Sequence, residues 1–362
     1  MIIIDGSHGE GGGQVLRTSL TLAMLTGRAV QIERIRAGRP KPGLAAQHLT
    51  AVRAAAAICD ATVSGDEMGS EWLRFQPGSE PQAGDYAFDV VQVREAGSAG
   101  AVSLVLQTVL LPLGLAPGAS RLVLRGGTHV PWSPPFPYLS EVYLPTLKRL
   151  GLRATLELRR WGFYPAGGGE IVARIEGQAS GVNSLVLTER GTLRRVWGTA
   201  VASNLPAHIP QRMANRARNV LAREGVKADL QARRVRTSGP GAGIFVLTEY
   251  EDGVLAGFAA YGRKGLPAER VAEVVCRDTL RYHRSGAPVD RYLADQLILP
   301  LAVSTGVSQF TTCRVTKHLQ TNMWVAEQFA QARFEVTGRT ITVIPKRTRD
   351  KQNYGVHQYL DN

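Results

Sequence analysis

The chain has 362 residues, with 43 Lys and Arg against 30 Asp and Glu, a net charge of +13 and 44% hydrophobic residues. That length suits two domains or one large domain with an insertion, and the apolar fraction is enough for a sizeable core, which excludes global disorder. The charge surplus points to a polyanionic partner (nucleic acid, nucleotide phosphates or an anionic surface) without choosing among them.

The start, MIIIDG, has no basic region and no signal-peptide core, so a cytoplasmic protein is expected. Ile2–Asp5 reads as a short strand, followed by a glycine-rich loop at 6–13. Residues 14–26 place Val15, Leu16, Leu20, Ala23 and Met24 at helical spacing, and Gly27 sits where a helix-ending glycine belongs. Residues 30–35 alternate like a half-buried strand, and 44–58 is helical again through Leu44, His48, Val52, Ala55 and Ile58. The pattern returns with a strand at 73–75, a helix at 103–111, a strand at 121–124, a helix at 138–150 and strands after Gly151. The apolar stretch at 104–115 is broken by Gln107, Pro112 and Gly114 and is too short for a membrane span. These elements make an α/β or α+β protein.

GSHGEGGGQ at 6–14 is echoed by GFYPAGGGE at 162–170, which fits a domain built from duplicated units. Around 181–183 the texture changes. From there to about Ala287 a separate small α/β unit is expected, with strands at 185–187 and 196–200. A helix through Ile209, Met213, Ala217, Val220 and Leu221 follows, then a hairpin turning at Asp252 and Gly253 and a last helix from Pro267. Residues 290–329 resume the style of the first half, so a large domain is interrupted by an insert. The polar end carries Lys346, Arg347, Arg349 and Lys351 and reads as a surface tail.

The loop SHGEGGGQ lies between a strand and a helix. Glycines let backbone approach a phosphate, a helix N-terminus offers free N–H groups, and Glu10 inside such a loop can hold Mg²⁺. A tight turn with an exposed glutamate fits the residues equally well, and neither a P-loop nor a GxGxxG pattern is present. In IRAGRPKPGLAAQHL, Arg36, Arg39 and Lys41 precede a helix bearing Gln47 and His48. Arginine forks suit phosphate, although a solvated basic loop is the plainer reading. The seven histidines show no HExxH and the three cysteines no CxxC, which argues against a zinc site.

Several stretches nevertheless resemble RNA 3′-terminal phosphate cyclases: GSHGEGGGQVLRTSLTLAMLTGR, IRAGRPKPGLAAQHLTAV, GSAGAVSLVLQTVLLPL, GGTHVPWSPPFPYL, GFYPAGGGE, YLADQLILPLA and KHLQTNMWVAEQF. They follow that family's order across almost the whole chain. The resemblance implies an α+β fold in which a large domain repeats a unit of four-stranded sheet plus two helices, similar to the enolpyruvyl transferases, with a small inserted α/β domain. Its expected bounds are 1–182 and 288–345 for the large domain, 183–287 for the insert and 346–362 for the tail.

The resemblance also implies an ATP-dependent ligase, forming AMP, that turns an RNA 3′-phosphate into a 2′,3′-cyclic phosphate. His318 matches the nucleophile that becomes covalently adenylated before AMP passes to the RNA. Glu10 matches the ligand of a divalent metal, Mg²⁺ or Mn²⁺. Gln107, Pro134, Tyr138, Tyr292, Asp295 and Gln296 match the ATP pocket, and Arg17, Arg39, Gln47 and His48 the place of the RNA terminal phosphates. Ser98, Ala99 and Gly100 belong to the expected pocket wall. The basic residues of the insert, among them Arg212, Arg216, Arg233 and Arg234, are candidates for guiding RNA, or simply a solvated face. The expected partner is RNA with a 3′-phosphate and no membrane, with the oligomeric state open and a homodimer among the alternatives. VVQVREAGSAG departs from the plainer pattern by a few extra residues, and the tail extends past the usual end. Two rivals remain. Non-catalytic relatives of this fold lack the histidine present here as His318, and KHLQTN and RAGRPKPG argue against an enolpyruvyl transferase.

Overall fold

A computed structural model of the chain describes residues 1–90, 100–178 and 180–346. Ser98, Ala99, the extra residues before them and nearly all of the expected tail lie outside the described residues.

The chain begins with β1 (Ile2–Asp5), α1 (Gly13–Thr26), β2 (Val30–Glu33), α2 (Ala46–Cys59), β3 (Thr62–Ser64) and β4 (Leu73–Gln76). Their sheet runs β1-β2-β4-β3, with β1 parallel to β2 and the other pairs antiparallel. Next come β5 (Asp85–Asp89), α3 (Val102–Leu115), β6 (Ser120–Gly126), α4 (Phe136–Tyr138), α5 (Leu144–Arg149), β7 (Arg153–Arg160) and β8 (Gly169–Glu176). They make a sheet of the same design, β5-β6-β8-β7, with β5 parallel to β6. A third copy opens with β9 (Val186–Leu187). It resumes far downstream with α8 (Arg291–Gln296), α9 (Ile298–Ala302), β14 (Ser308–Thr311), α10 (Lys317–Gln328), β15 (Ala332–Thr337) and β16 (Thr340–Pro345). Its order from the other edge is β9-β14-β16-β15, again with the first pair parallel. The expected α+β fold of repeated four-stranded units is therefore present three times.

The insert enters the third unit between its first two strands. It comprises β10 (Leu193–Ser203), α6 (His208–Arg223), β11 (Ala228–Val235), β12 (Gly241–Tyr250), β13 (Leu255–Tyr261) and α7 (Ala268–Ser285). Its sheet order, β11-β10-β12-β13, differs from the repeat. β9 was expected at the head of the insert; instead Val186 and Leu187 pair with Gln309 and Phe310 of β14, so the inserted sheet starts only at Leu193. Helices α6 and α7 pack together on one face of that sheet through Met213, Ala217, Leu221, Val271, Ala272 and Val275.

The glycine echo does not mark the repeat. The first motif joins β1 to α1, whereas the second turns the β7–β8 hairpin, so the two occupy different places in their units. Similar spelling reflects a shared need for close backbone approach: a Cβ on Gly162 or Gly169 would collide with the facing strand. The expected helix at 138–150 is also modified. Pro145 has no N–H to give and its ring crowds the preceding turn. The chain answers with a π-helical stretch at Leu139–Tyr143 between α4 and α5.

The core is shared among units. Helix α1 packs against α2, α3 and α10, and ten of its fourteen residues are buried, so it is a central helix rather than a surface one. Two of its three buried hydroxyls are paired: Thr21 donates to the carbonyl of Thr108 at 2.8 Å and Thr18 to Asn322 Oδ1 at 2.6 Å, while the Oγ of Ser19 has no partner among the described residues. Among the described residues no helix is long and apolar enough to cross a membrane.

Candidate active site

The N-terminal ends of α1, α2 and α10 and the short helix α8 converge on one cleft of about 1150 Å³. Two loops reach it from the first unit. The β1–α1 loop makes its tight turn with Gly9 and Gly11 at positive φ and presents Glu10. The β2–α2 loop presents Arg36 and Arg39.

Helix α10 starts where it does because Thr316 caps it, its hydroxyl accepting the amide of Leu319 at 3.1 Å. His318 therefore stands in the first turn of the helix. Gln14 of α1 donates to the His318 carbonyl at 2.7 Å, and Asn322 of α10 donates to the Asp295 carbonyl at 2.9 Å. These bonds, with Thr18 to Asn322, hold α1, α8 and α10 in one register around the imidazole.

The imidazole lies between two carboxylates. Nε2 contacts Glu10 Oε2, and Nδ1 faces Asp295 Oδ2 at 3.8 Å. Arg39 adds its guanidinium 3.7 Å from the same Glu10 oxygen. Burial lowers the His318 pKa; Arg17 and Arg39 push the same way, while Glu10 opposes them. Burial also pushes Asp295 up to about 8, against the pull of Arg17, and pulls Arg17 down to about 10. A poorly solvated arginine of this kind gains from an incoming anion.

His48 is 4% exposed, and burial holds its pKa well below the usual value, with Arg17 and Arg36 adding to the shift. Its Nδ1 accepts the amide of Ala45 at 3.1 Å, which fixes the neutral tautomer with hydrogen on Nε2. That N–H lies over Gly13, where an added Cβ would come within 2.1 Å. Gln47 also lines the cleft, but its Oε1 is occupied by the amide of Ala101 at 3.0 Å, which ties α2 to the start of α3.

The other side of the cleft is less charged. Gln107 of α3 donates to Gln296 of α8 at 2.8 Å, joining the second and third units. Tyr138 and Tyr292 meet edge to face, with ring centres 6.3 Å apart, and Pro134 lies on the same cleft. Tyr138 is 4% exposed and turns its hydroxyl to Asp290. All twelve site residues named from the sequence thus line a single cavity.

Arg36, read from the sequence as one of the basic residues ahead of α2, lines the cleft as well. Other lining residues were not named from the sequence. Arg314 and Lys317 add positive charge; they stand just before and at the start of KHLQTN, and that position was the available signal. The face of the inserted sheet away from α6 and α7 supplies Phe245, Leu247, Ala259 and Tyr261, for which the sequence held no signal beyond apolar alternation. Conversely, Arg212 and Arg216 of α6 spend their forks on Glu269 and Glu273 of α7, at 2.7 and 2.6 Å, and serve the helix pair.

Among the described residues no group of three His, Cys, Asp or Glu is arranged to hold a metal. The cleft does offer the Glu10 carboxylate and the buried Oε1 of Gln14, which has no partner. An oxygen set this small suits a hard cation whose shell is completed by phosphate and water. The cavity's size and mixed lining likewise suit a nucleotide.

The chain matches the family described as RNA 3′-terminal phosphate cyclase over residues 8–336. It is 56% identical over 336 residues to the RNA 3′-terminal phosphate cyclase of Methylococcus capsulatus, covering 93% of each chain. It is 55% identical to that of Trichormus variabilis, covering 93% of this chain and 96% of the other, and 42% identical to that of Salmonella agona, covering 93% and 94%. It also resembles the enolpyruvyl transferase NikO from Streptomyces tendae, at 10% identity with a TM-score of 0.39 over 94% of this chain and 47% of that one, a likeness too slight to argue from. By sequence, over nearly its whole described length, this chain belongs to the RNA 3′-terminal phosphate cyclase family.

Proposed function

We propose that this protein uses ATP to convert an RNA 3′-terminal phosphate into a 2′,3′-cyclic phosphate, through adenylated His318 and an RNA adenylate. The observation that carries this reading is the histidine itself. It is held at a capped helix start between Glu10 and Asp295, in a cleft whose basic side faces a more apolar one.

The chemistry needs a relay because a phosphate monoester is anionic and has no good leaving group. His318 Nε2 attacks the α-phosphorus of ATP, and the bond to the β-phosphate oxygen breaks as pyrophosphate leaves. An oxygen of the RNA 3′-phosphate then attacks the same phosphorus and frees the imidazole. The neighbouring 2′-hydroxyl finally attacks the RNA phosphate, closes the ring and expels AMP. Glu10, with Gln14 Oε1 as a second donor, would hold a divalent cation, which supplies charge neutralisation on the α-phosphate and departing pyrophosphate. Tyr292 and Pro134 pack on the adenine, with Tyr138 behind them, while Gln107, Gln296 and Asp295 provide polar contacts. Arg17, Arg39 and the Nε2–H of His48 receive the terminal phosphate, and Gln47 holds the wall behind it.

ATP labelled at the α-phosphate tests the sequence of steps. Label is expected first on the protein, then transiently on an oligoribonucleotide ending in 3′-phosphate and finally in free AMP, and never on an oligoribonucleotide ending in 3′-hydroxyl. Transfer to the hydroxyl end would overturn the reaction class.

Gly13→Ala separates the two halves of the site. The new Cβ would land 2.1 Å from His48 Nε2, forcing that ring away, while alanine is the better helix former. The expected result is a rise of roughly tenfold in KM for RNA, as for a misplaced positioning group, with self-adenylation retained. An unchanged KM would remove His48 from the phosphate site.

A further inference from the structure

We propose that Trp132 is a stacking platform for a nucleobase of the RNA strand as it leaves the cleft, one to three nucleotides from the terminal phosphate. The inference rests on the cyclase reading above, which puts the RNA 3′ end inside.

Trp132 breaks two rules at once. The residue is 95% exposed, the most exposed of the large hydrophobic residues in the described chain, and its backbone has φ of +60°. A bulky residue with positive φ is an outlier that persists only where its surroundings impose it. Here they do. The loop bearing it is anchored at its base: the amides of Thr128 and His129 both donate to the carbonyl of Gly162, at 3.0 and 2.9 Å. The amide of Phe136 closes the far end on the carbonyl of Thr128 at 3.3 Å. Inside the loop, Ser133 Oγ donates to the carbonyl of Val130 at 3.0 Å, and Pro131, Pro134 and Pro135 fix the flanking φ angles. The indole is thus held out in solvent by a stiff support, as a preorganised platform requires.

Its position selects the occupant. Trp132 lines the same cavity as His318, yet is almost fully exposed, so it stands at the cavity's mouth. A mononucleotide can be enclosed entirely, and the sheltered Tyr138 and the Gln107–Gln296 pair already form an inner wall. A polynucleotide bound by its 3′ end cannot be enclosed; its remaining bases must pass the mouth. Stacking there is sequence-tolerant because every base has a π face. It would add affinity for strands longer than the terminal nucleotide without reading their sequence.

The test uses the full chain without ATP, so that nothing turns over, and a fluorescently labelled single-stranded oligoribonucleotide with a 3′-phosphate. Trp132→Ala is expected to weaken binding roughly tenfold, and Trp132→Phe to restore most of it. Oligonucleotides abasic at each of the last four positions complete a double-mutant cycle. At one position the missing base should weaken wild-type binding and leave the alanine variant unchanged. Self-adenylation with α-labelled ATP, without RNA, should be the same in all three proteins. Equal RNA binding by wild type and Trp132→Ala overturns the proposal, as does an alanine effect that survives every abasic substitution. Reduced self-adenylation with RNA binding intact would instead make Trp132 a wall of the nucleotide site. Loss of self-adenylation in the wild type would overturn the cyclase reading alone, because the binding cycle is read without ATP.

Discussion

Replacing His318 with alanine will abolish labelling of the protein by α-labelled ATP, a loss of at least about a thousandfold for a covalent nucleophile. The fold should survive. The side chain is 45% exposed, and the bond from Gln14 goes to the His318 carbonyl, which alanine keeps. ATP binding should persist, because Gln107, Gln296, Tyr138 and Tyr292 are untouched, so labelling and binding come apart. Labelling retained in the variant would remove His318 as the nucleophile. The pH profile adds a second readout. Protonated imidazole has no lone pair to give, so the adenylation rate must fall as pH falls through its pKa. Burial, with Arg17 and Arg39, places that pKa below the ordinary histidine value. The acid limb should therefore lie below about pH 6.5, and the rate should be flat on its alkaline side until another group titrates.

Much of this site was legible because its residues sit at helix starts and in short loops, where local sequence determines local structure. Thr316 ahead of KHLQTN is a cap, and GSHGEGGGQ must turn tightly after a strand. Tertiary pairing was less legible. Val186 and Leu187 are too few residues to declare a sheet, and only the register with Gln309 and Phe310 assigns them to the third unit. Alternation in β12 and β13 predicts a two-faced hairpin but not that Phe245 and Tyr261 face the cleft that holds His318. That depends on how the insert docks, and its docking runs through an aromatic cluster of Phe163, Phe245 and Trp161 drawn from separate stretches of chain. The charge surplus left one choice open: Arg212 and Arg216, candidates for guiding RNA or for a solvated face, form ion bridges between the two helices of the insert.

Asp290→Ala is expected to cost about 2–4 kcal/mol of stability and to raise KM for ATP, combining a lost cap with an orphaned buried hydroxyl. Asp290 is 0% exposed. One carboxylate oxygen accepts the amides of Tyr292 and Leu293, at 2.7 and 3.0 Å, and starts α8. Both oxygens lie 3.1 Å from the hydroxyl of Tyr138. One side chain thereby sets the positions of both tyrosines on the less charged side of the cleft, across two repeat units. An aspartate just before RYLADQ is a readable cap, but the tyrosine it holds is 152 residues away in sequence. Asn in its place keeps an acceptor for the cap and should restore most of the stability. The two variants also differ in pH response. Burial raises the Asp290 pKa to about 6, against the hydrogen bonds that lower it. The folded protein therefore holds this proton more tightly than the unfolded chain does. The contribution is complete below the unfolded value near 4 and is lost as pH rises through about 6. Relative to wild type, Asp290→Asn should thus gain on the order of 3 kcal/mol between pH 4 and pH 7. Denaturant unfolding at both pH values measures it, and a difference that does not change with pH would mean that Asp290 is ionised at no unusual cost, with its hydrogen bonds offsetting its burial completely.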